Sequence, residues 1–481
     1  MLKQQLRIKI IKLSIFILLF FSSAAFAKYD LDANRGVYTQ PFVTPYQNVT
    51  EICVMPKHLV GVKYKEKDWK DEATLCSLDF YGKTTLNGTP LEYVAVCPKV
   101  RSTNPGVELY KLKEEGLTVA QYEKKQCSLP SKKREKSKAK RMAKFKQSIS
   151  CSYTPSILAY YHVSRMLGGV GNVQPAVIRT MSLKEHRKIA KRGYQTARRY
   201  KLRVQGLTWK MFIDTENNID NRRNRYGRKY SNVIFTTDNK QIFGAMQKDV
   251  KKEGRYREFY IKNYKNSYKR LTAQPFVRQL ISRKSQQKQT VEKLYQLKDY
   301  ADMLTIDYLL SQEDRFGNIA YKDYYYSLDK DGKIDRKRMP KTKEKQYSKE
   351  QMEQYNIHKV RRLVLKDNDC GVKRYNRTKK SRIMSKIRHM SLDTYQRVLW
   401  MESKIEAEDT ELFFQNELLF SHKDWEKFEG LVKSLKDTLQ KRCRQGNLVL
   451  DLNPERKLLS LPPVKAKQMC ERPSWGDLIL Q

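Results

Sequence analysis

The chain has 481 residues, 40% of them apolar and 30 of them tyrosine, ample for the packed cores of two or three domains, which sets aside a chain left unfolded for want of one. Lys and Arg number 97 against 52 Asp and Glu, a formal net charge of +45, so polyanions are the expected partners: a phosphorylated glycan, a lipid head group, an acidic protein or nucleic acid. No two of the eight cysteines are spaced Cys-x-x-Cys, which excludes a zinc ribbon and a thioredoxin-type centre and fits disulfides in an oxidising compartment.

In chain order, Lys3, Arg7, Lys9 and Lys12 precede an apolar run over 13–21 and small residues over 22–27. This pattern predicts a signal peptide over 1–27, cut after Ala27, and an exported protein, periplasmic or secreted. The run is shorter than the roughly 20 residues a spanning helix needs, and nothing later in the sequence reads as transmembrane. An uncleaved N-terminal anchor is the alternative. Residues 28–130 combine short β-like stretches, 91–96 among them, with turns at Asn87-Gly88 and Asn104-Pro105-Gly106 and four cysteines, and read as a disulfide-braced extension. The basic run 131–141 reads as a solvated linker.

Residues 142–146 alternate as a strand, and Ser152-Tyr-Thr-Pro155 opens a helix over 157–167 that stops at Gly168-Gly169. A strand over 173–179 and a hairpin around Asp238-Asn239 complete a mixed unit over 131–260. From 261 to 481 helices dominate: 291–310 delivers the chain to Asp314, 392–442 is a series of amphipathic helices, and a hairpin turning at Asp331-Gly332 lies between.

The most informative stretch is 305–318, where Asp314 and Asn318 follow an apolar run and are answered downstream by Asp367, Asp369 and Gly371. Phosphoryl transfer needs one carboxylate to orient or deprotonate an acceptor hydroxyl, and a second carboxylate with an amide oxygen to hold metal against nucleotide phosphates. Asp314, Asn318 and Asp369 are side chains of those types. Other chemistries fail on spacing. Gly82-Lys83-Thr84 has Ser77 where a P-loop needs its first glycine, and Gly169-x-Gly171 is followed by Gln174 in place of a dinucleotide-binding glycine. Asp329, Asp331 and Asp335 lack calcium-loop order. There is neither a His-Glu-x-x-His pair nor a Gly-x-Ser-x-Gly elbow.

Phe145-Lys146, then Ala159-Tyr-Tyr-His162-Val-Ser-Arg165-Met-Leu167-Gly168, then Val173-Gln-Pro175-Ala-Val-Ile-Arg179 resemble a motif series of the secreted, Golgi casein kinase type of atypical kinases. Ile306-Asp-Tyr-Leu-Leu, Asp314-Arg315 and Asp369-Cys-Gly371 are similar to later motifs of that family and, more loosely, to HipA-like and phosphoinositide kinases and the spore-coat kinase CotH. The resemblance implies an α+β, two-lobed kinase-like fold, with a mixed N-lobe and a mainly helical C-lobe beside the braced extension, and ATP with Mg or Mn as cofactors. It makes Lys146 the phosphate-contacting lysine, with Lys144 on the same strand face in reserve. Asp314 becomes the base, Asp369 a metal ligand that Asp367 shares or replaces, and Asn318 the oxygen donor to a second metal. The chain departs from the family at Ile157, where an acid should pair with the lysine, in the spacing from Asp314 to Asn318, and in lacking a glycine-rich loop before Lys146. Glu258 is a candidate for the missing acid or for a hinge. The expected activity is transfer of a phosphoryl or nucleotidyl group from ATP to a protein, glycan or lipid hydroxyl. A catalytically inactive kinase-like scaffold, binding polyanions through its basic surface, is the alternative.

Overall fold

The computed structural model describes residues 31, 36–221, 223–250, 253–257, 272, 287–315, 319–340, 342–373, 382–462 and 469–471. The leader with its cut at Ala27, the boundary at 260, Glu258 and Asn318 lie outside these residues. Seven strands build the principal sheet: Tyr38–Val43 (β1), Thr50–Met55 (β2), Ala95–Pro98 (β3), Val107–Leu112 (β4), Ala139–Lys146 (β5), Ala176–Ser182 (β6) and Gln241–Lys248 (β7). They pair antiparallel in the order β1-β2-β6-β7-β5-β4-β3.

Both faces of this sheet are covered, which is why β6 is buried along its whole length instead of alternating. After the helices Glu66–Cys76 (α1) and Val119–Gln126 (α2) comes Thr154–Met166 (α3), every residue of which is buried, and Ala176, Ile178, Phe243 and Ala245 pack on it. Pro155 suits the first turn of that helix, where its missing N–H has no intrahelical acceptor to lose. Val177, Met181, Ile242 and Met246 face the other way, onto Ile189, Trp209, Phe212 and Ile234. Those residues come from Leu183–Arg199 (α4), Arg203–Glu216 (α5) and Arg225–Ile234 (α6), the helices joining β6 to β7.

Downstream, Gln287–Leu309 (α7) leads to a second sheet. Its central strand Ile319–Leu328 (β8) pairs antiparallel with Ile334–Arg338 (β9), His358–Leu365 (β10) and the two-residue strand Gly254–Arg255. Leu392–Ile405 (α8), Glu408–Asn416 (α9) and His422–Arg444 (α10) share one core with α3 and α7. The protein is therefore α+β, sheet-rich in its N-terminal part and helical in its C-terminal part.

Several expectations need correction. Residues 36–130 are not an extension set apart by disulfides: β1 to β4 supply four of the seven strands, and Cys53–Cys76 and Cys97–Cys127 close within that sheet unit. The basic run is not wholly solvated, because Arg134 is buried on Glu108 at 2.7 Å and β5 begins at Ala139. The hairpin at Asp238-Asn239 keeps its turn, with Asn239 left-handed at φ 59°, but its first arm shrinks to the single bridge Phe235–Ile242. All eight cysteines are paired, the other two bonds being Cys151–Cys370 and Cys443–Cys470. Among the described residues no helix is long and apolar enough to cross a membrane.

Candidate functional site

β10 runs out into the loop 366–372, which the start of α3 and the end of α7 hold in place. Asp367 turns the chain at φ 47°, a left-handed conformation that Asp tolerates better than most residues. The Tyr153 amide donates to the Asp369 carbonyl (2.8 Å) and Ser156 Oγ to that of Asn368 (2.7 Å). From the other side, the Val372 amide donates to the Leu310 carbonyl (2.6 Å) and that of Glu313 to the carbonyl of Cys370 (3.1 Å). A Cβ on Gly371 would sit 2.6 Å from Ser156 Oγ and 2.7 Å from the Leu310 oxygen, so glycine is what lets the loop lie between α3 and the end of α7. Arg315 fastens the same junction. Its guanidinium forks onto Asp307 of α7 (2.9 Å) while donating to the Lys366 carbonyl and Asn368 Oδ1, each at 2.9 Å. The Cys151–Cys370 bond is the covalent tie.

This loop faces the end of β5 across a tight cleft of about 10 Å3, space for about one water molecule, lined by Lys144, Lys146, Ile157, Gln247, Asp367 and Asp369, among others. Lys146 Nζ donates to Asp369 Oδ2 at 2.8 Å and to Asp367 Oδ1 at 3.2 Å. Lys99 Nζ stands 3.6 Å from the same Asp367 oxygen, and Asn104 Nδ2 donates to Asp369 Oδ2 at 3.3 Å. Both come from the β3–β4 turn, which crosses over Lys146: a Cβ on Gly106 would lie 3.1 Å from the Phe145 carbonyl. Asp369 is 1% exposed, and its Oδ1 has no hydrogen-bond partner among the described residues. A buried carboxylate oxygen left without a donor is costly unless something cationic meets it.

The charges tune one another. Burial works against the Lys146 cation, yet the Asp369 and Asp367 carboxylates outweigh it and hold the ammonium above its usual range. Burial dominates at Lys99, with Lys146 adding repulsion against the pull of Asp367, and pushes it down to about 8. Lys99 and then Lys146 keep the Asp367 carboxyl well below the usual carboxylate range.

Of the residues singled out from sequence, Lys146, Asp367 and Asp369 are brought together. Lys144 lines the cleft but lies 3.7 Å from Asp249, which also binds Arg141. Asp314 is exposed, next to the Glu313–Cys370 hydrogen bond, and is not among the residues lining the cleft. Sequence reasoning missed Lys99 and Asn104. The signal available was a lysine and a polar turn in the hairpin directly preceding the lysine strand.

No family model matches the chain, and no curated protein or solved structure matches it either. Asp367 and Asp369 present carboxylate oxygens of the hard type that Mg or Mn takes, Asp369 Oδ1 being buried without a donor among the described residues, while Asn368 Oδ1 already accepts from Arg315. Cys151, Glu313 and Cys370 also lie close enough to suggest a metal cluster. Both sulfurs are consumed in the disulfide, so no thiolate is available there.

Proposed function

We propose that the cleft binds the phosphates of a metal-complexed nucleotide, ATP with Mg or Mn, in an exported, two-lobed kinase-like phosphotransferase. The observation that carries this reading is the convergence of Lys146, Asp367 and Asp369 on one cleft, with Lys99 3.6 Å from Asp367 and Asp369 Oδ1 buried and lacking a donor. Lys146 and Lys99 are the phosphate-facing cations. Asp369 and Asp367 are the metal-holding carboxylates, and a bound metal would supply charge neutralisation along the triphosphate. Nucleotide entry requires the cleft to widen from its room for about one water, with Lys146 releasing the carboxylates it now holds and turning to phosphate oxygens. Asp314, exposed beside the loop and outside the cleft lining, would have to be brought to the γ-phosphate by the acceptor's approach, taking the proton of its hydroxyl as that oxygen bonds the γ-phosphorus and the bond to the departing ADP oxygen breaks.

The alternative is an inactive scaffold of the same fold, and one feature favours it. Ile157 of α3 occupies the cleft wall where an acid would hold the lysine, so Lys146 is tied to the metal carboxylates themselves. A thermal melt of the full chain with Mg or Mn plus ATP tests nucleotide binding. Binding at about a hundredfold excess over Kd adds about 2.7 kcal/mol and raises the midpoint by a few degrees. Asp369→Ala abolishes that rise, and a wild-type midpoint unmoved by metal and ATP rules the nucleotide reading out. Transfer of label from ATP by the wild type then separates the enzyme from the scaffold.

A further inference from the structure

The helices α4 to α6 lie on the face of the principal sheet away from the cleft, since their core partners Val177, Met181 and Ile242 alternate with Ile178 and Phe243 on the α3 side. Between positions 183 and 234 the sequence carries fifteen Lys and Arg against four Asp and Glu. The acids do little to neutralise the outer surface. Glu216 is buried on His186, Glu185 is taken by Tyr46 and Lys188, Asp220 accepts from Asn239, and Asp214 pairs with Lys210, the one groove-lining cation so neutralised among the described residues. Arg198, Arg199, Lys201 and Arg203 are exposed and have no carboxylate partner among the described residues.

An open groove of about 360 Å3 crosses this surface, with Tyr194, Arg198, Lys201, Arg203, Leu207 and Lys210 in its lining. In its lining Leu207 is 61% exposed, and Val204, about one turn earlier on α5, is 55% exposed. Two aliphatic side chains standing out of a cationic field suit a surface that meets lipid. The Lys and Arg heads reach head-group phosphates while their stems and the aliphatic tips enter the acyl boundary. A nucleic-acid strand would instead want exposed rings for its bases, and Tyr194 is partly covered by Arg198, 5.9 Å from its ring centre.

We infer that the α4–α5 surface docks on a membrane of anionic phospholipid, leaving the cleft on the opposite side of the sheet open to solvent. This stands independently of the nucleotide reading. The test is flotation of the purified, disulfide-intact chain with phosphatidylcholine vesicles with and without phosphatidylglycerol. The wild type is expected to float with the anionic vesicles alone, and less so as salt is raised. Val204→Ser with Leu207→Ser should weaken partitioning on the order of tenfold, because apolar insertion is lost while every charge remains. Arg198→Glu with Lys201→Glu and Arg203→Glu should abolish it. All five positions are exposed, so the melting temperature of each variant should match the wild type. Undiminished flotation of the Val204/Leu207 variant overturns lipid insertion and leaves charge alone. Failure of the wild type to float while it retains a single-stranded oligonucleotide assigns the surface to nucleic acid instead.

Discussion

Lys99 is the residue whose chemistry can be separated from the rest of the cleft by pH. Burial holds its ammonium down to about 8, so it is a cation below that pH and neutral above it. If it contacts phosphate, nucleotide affinity falls as pH rises through 8, while Lys146, held above its usual range, stays charged. Stability without nucleotide runs the opposite way: the unfolded lysine keeps its proton to a higher pH, so the folded state gains as pH climbs from about 8 toward the ordinary lysine value. The prediction is a step near pH 8 in the ATP-dependent thermal shift of the wild type that is missing from Lys99→Met. The same step in both proteins would assign the titration to another group. Lys146, Asp367 and Asp369 are legible from sequence through short motifs that resemble those of the atypical kinases. Lys99 and Asn104 are not, since Asn104-Pro105-Gly106 reads only as a turn. The pairing of Val107 with Phe145 is what lays that turn over the lysine strand.

At the scale of elements, the site depends on the 366–372 loop being held between α3 and the end of α7, and the Cys151–Cys370 bond closes the longest loop of the four, 219 residues. Constraint of an unfolded chain grows with loop length, so this bond is worth up to about 5 kcal/mol in the chain-entropy view. It also anchors the residue next to Asp369. Cys151→Ala with Cys370→Ala should lower the unfolding midpoint and, separately, weaken the ATP-dependent shift, because Asp369 then relies on hydrogen bonds alone for its position. Loss of stability with the nucleotide response intact would make the bond a staple with no part in the site. Sequence reading places α3, α7 and the β8–β9 hairpin close to where they lie, because caps, glycines and apolar period agree there. It misses β10, whose 358–365 segment mixes basic and apolar residues and becomes a strand through its pairing along β8.

For the whole molecule, the N-terminal boundary is the main misreading, and it arises from treating clustered cysteines as evidence of a separate braced unit. Sheet pairing is nonlocal: β2 joins β6, and β4 joins β5, across long stretches of intervening chain that local composition does not connect. Residues 36–130 also neutralise charges buried in the rest of the protein. Glu51 lies 3.2 Å from the fully buried Arg179, and Asp68 holds Arg165 of α3 at 2.7 Å. Removing one partner of a buried ion pair costs about 3–5 kcal/mol, since the remaining charge has no compensation. A fragment beginning at Ser131 would leave both arginines in that condition and keep three of the seven strands, with the flanks of β6 and β5 unpaired. It should therefore show no cooperative melt and should be cut rapidly by protease throughout the strands 139–248, where the full chain resists. A fragment that melts cooperatively near the wild-type midpoint would restore 36–130 to the status of an appendage, and with it would remove Lys99 and Asn104 from any essential part in forming the cleft.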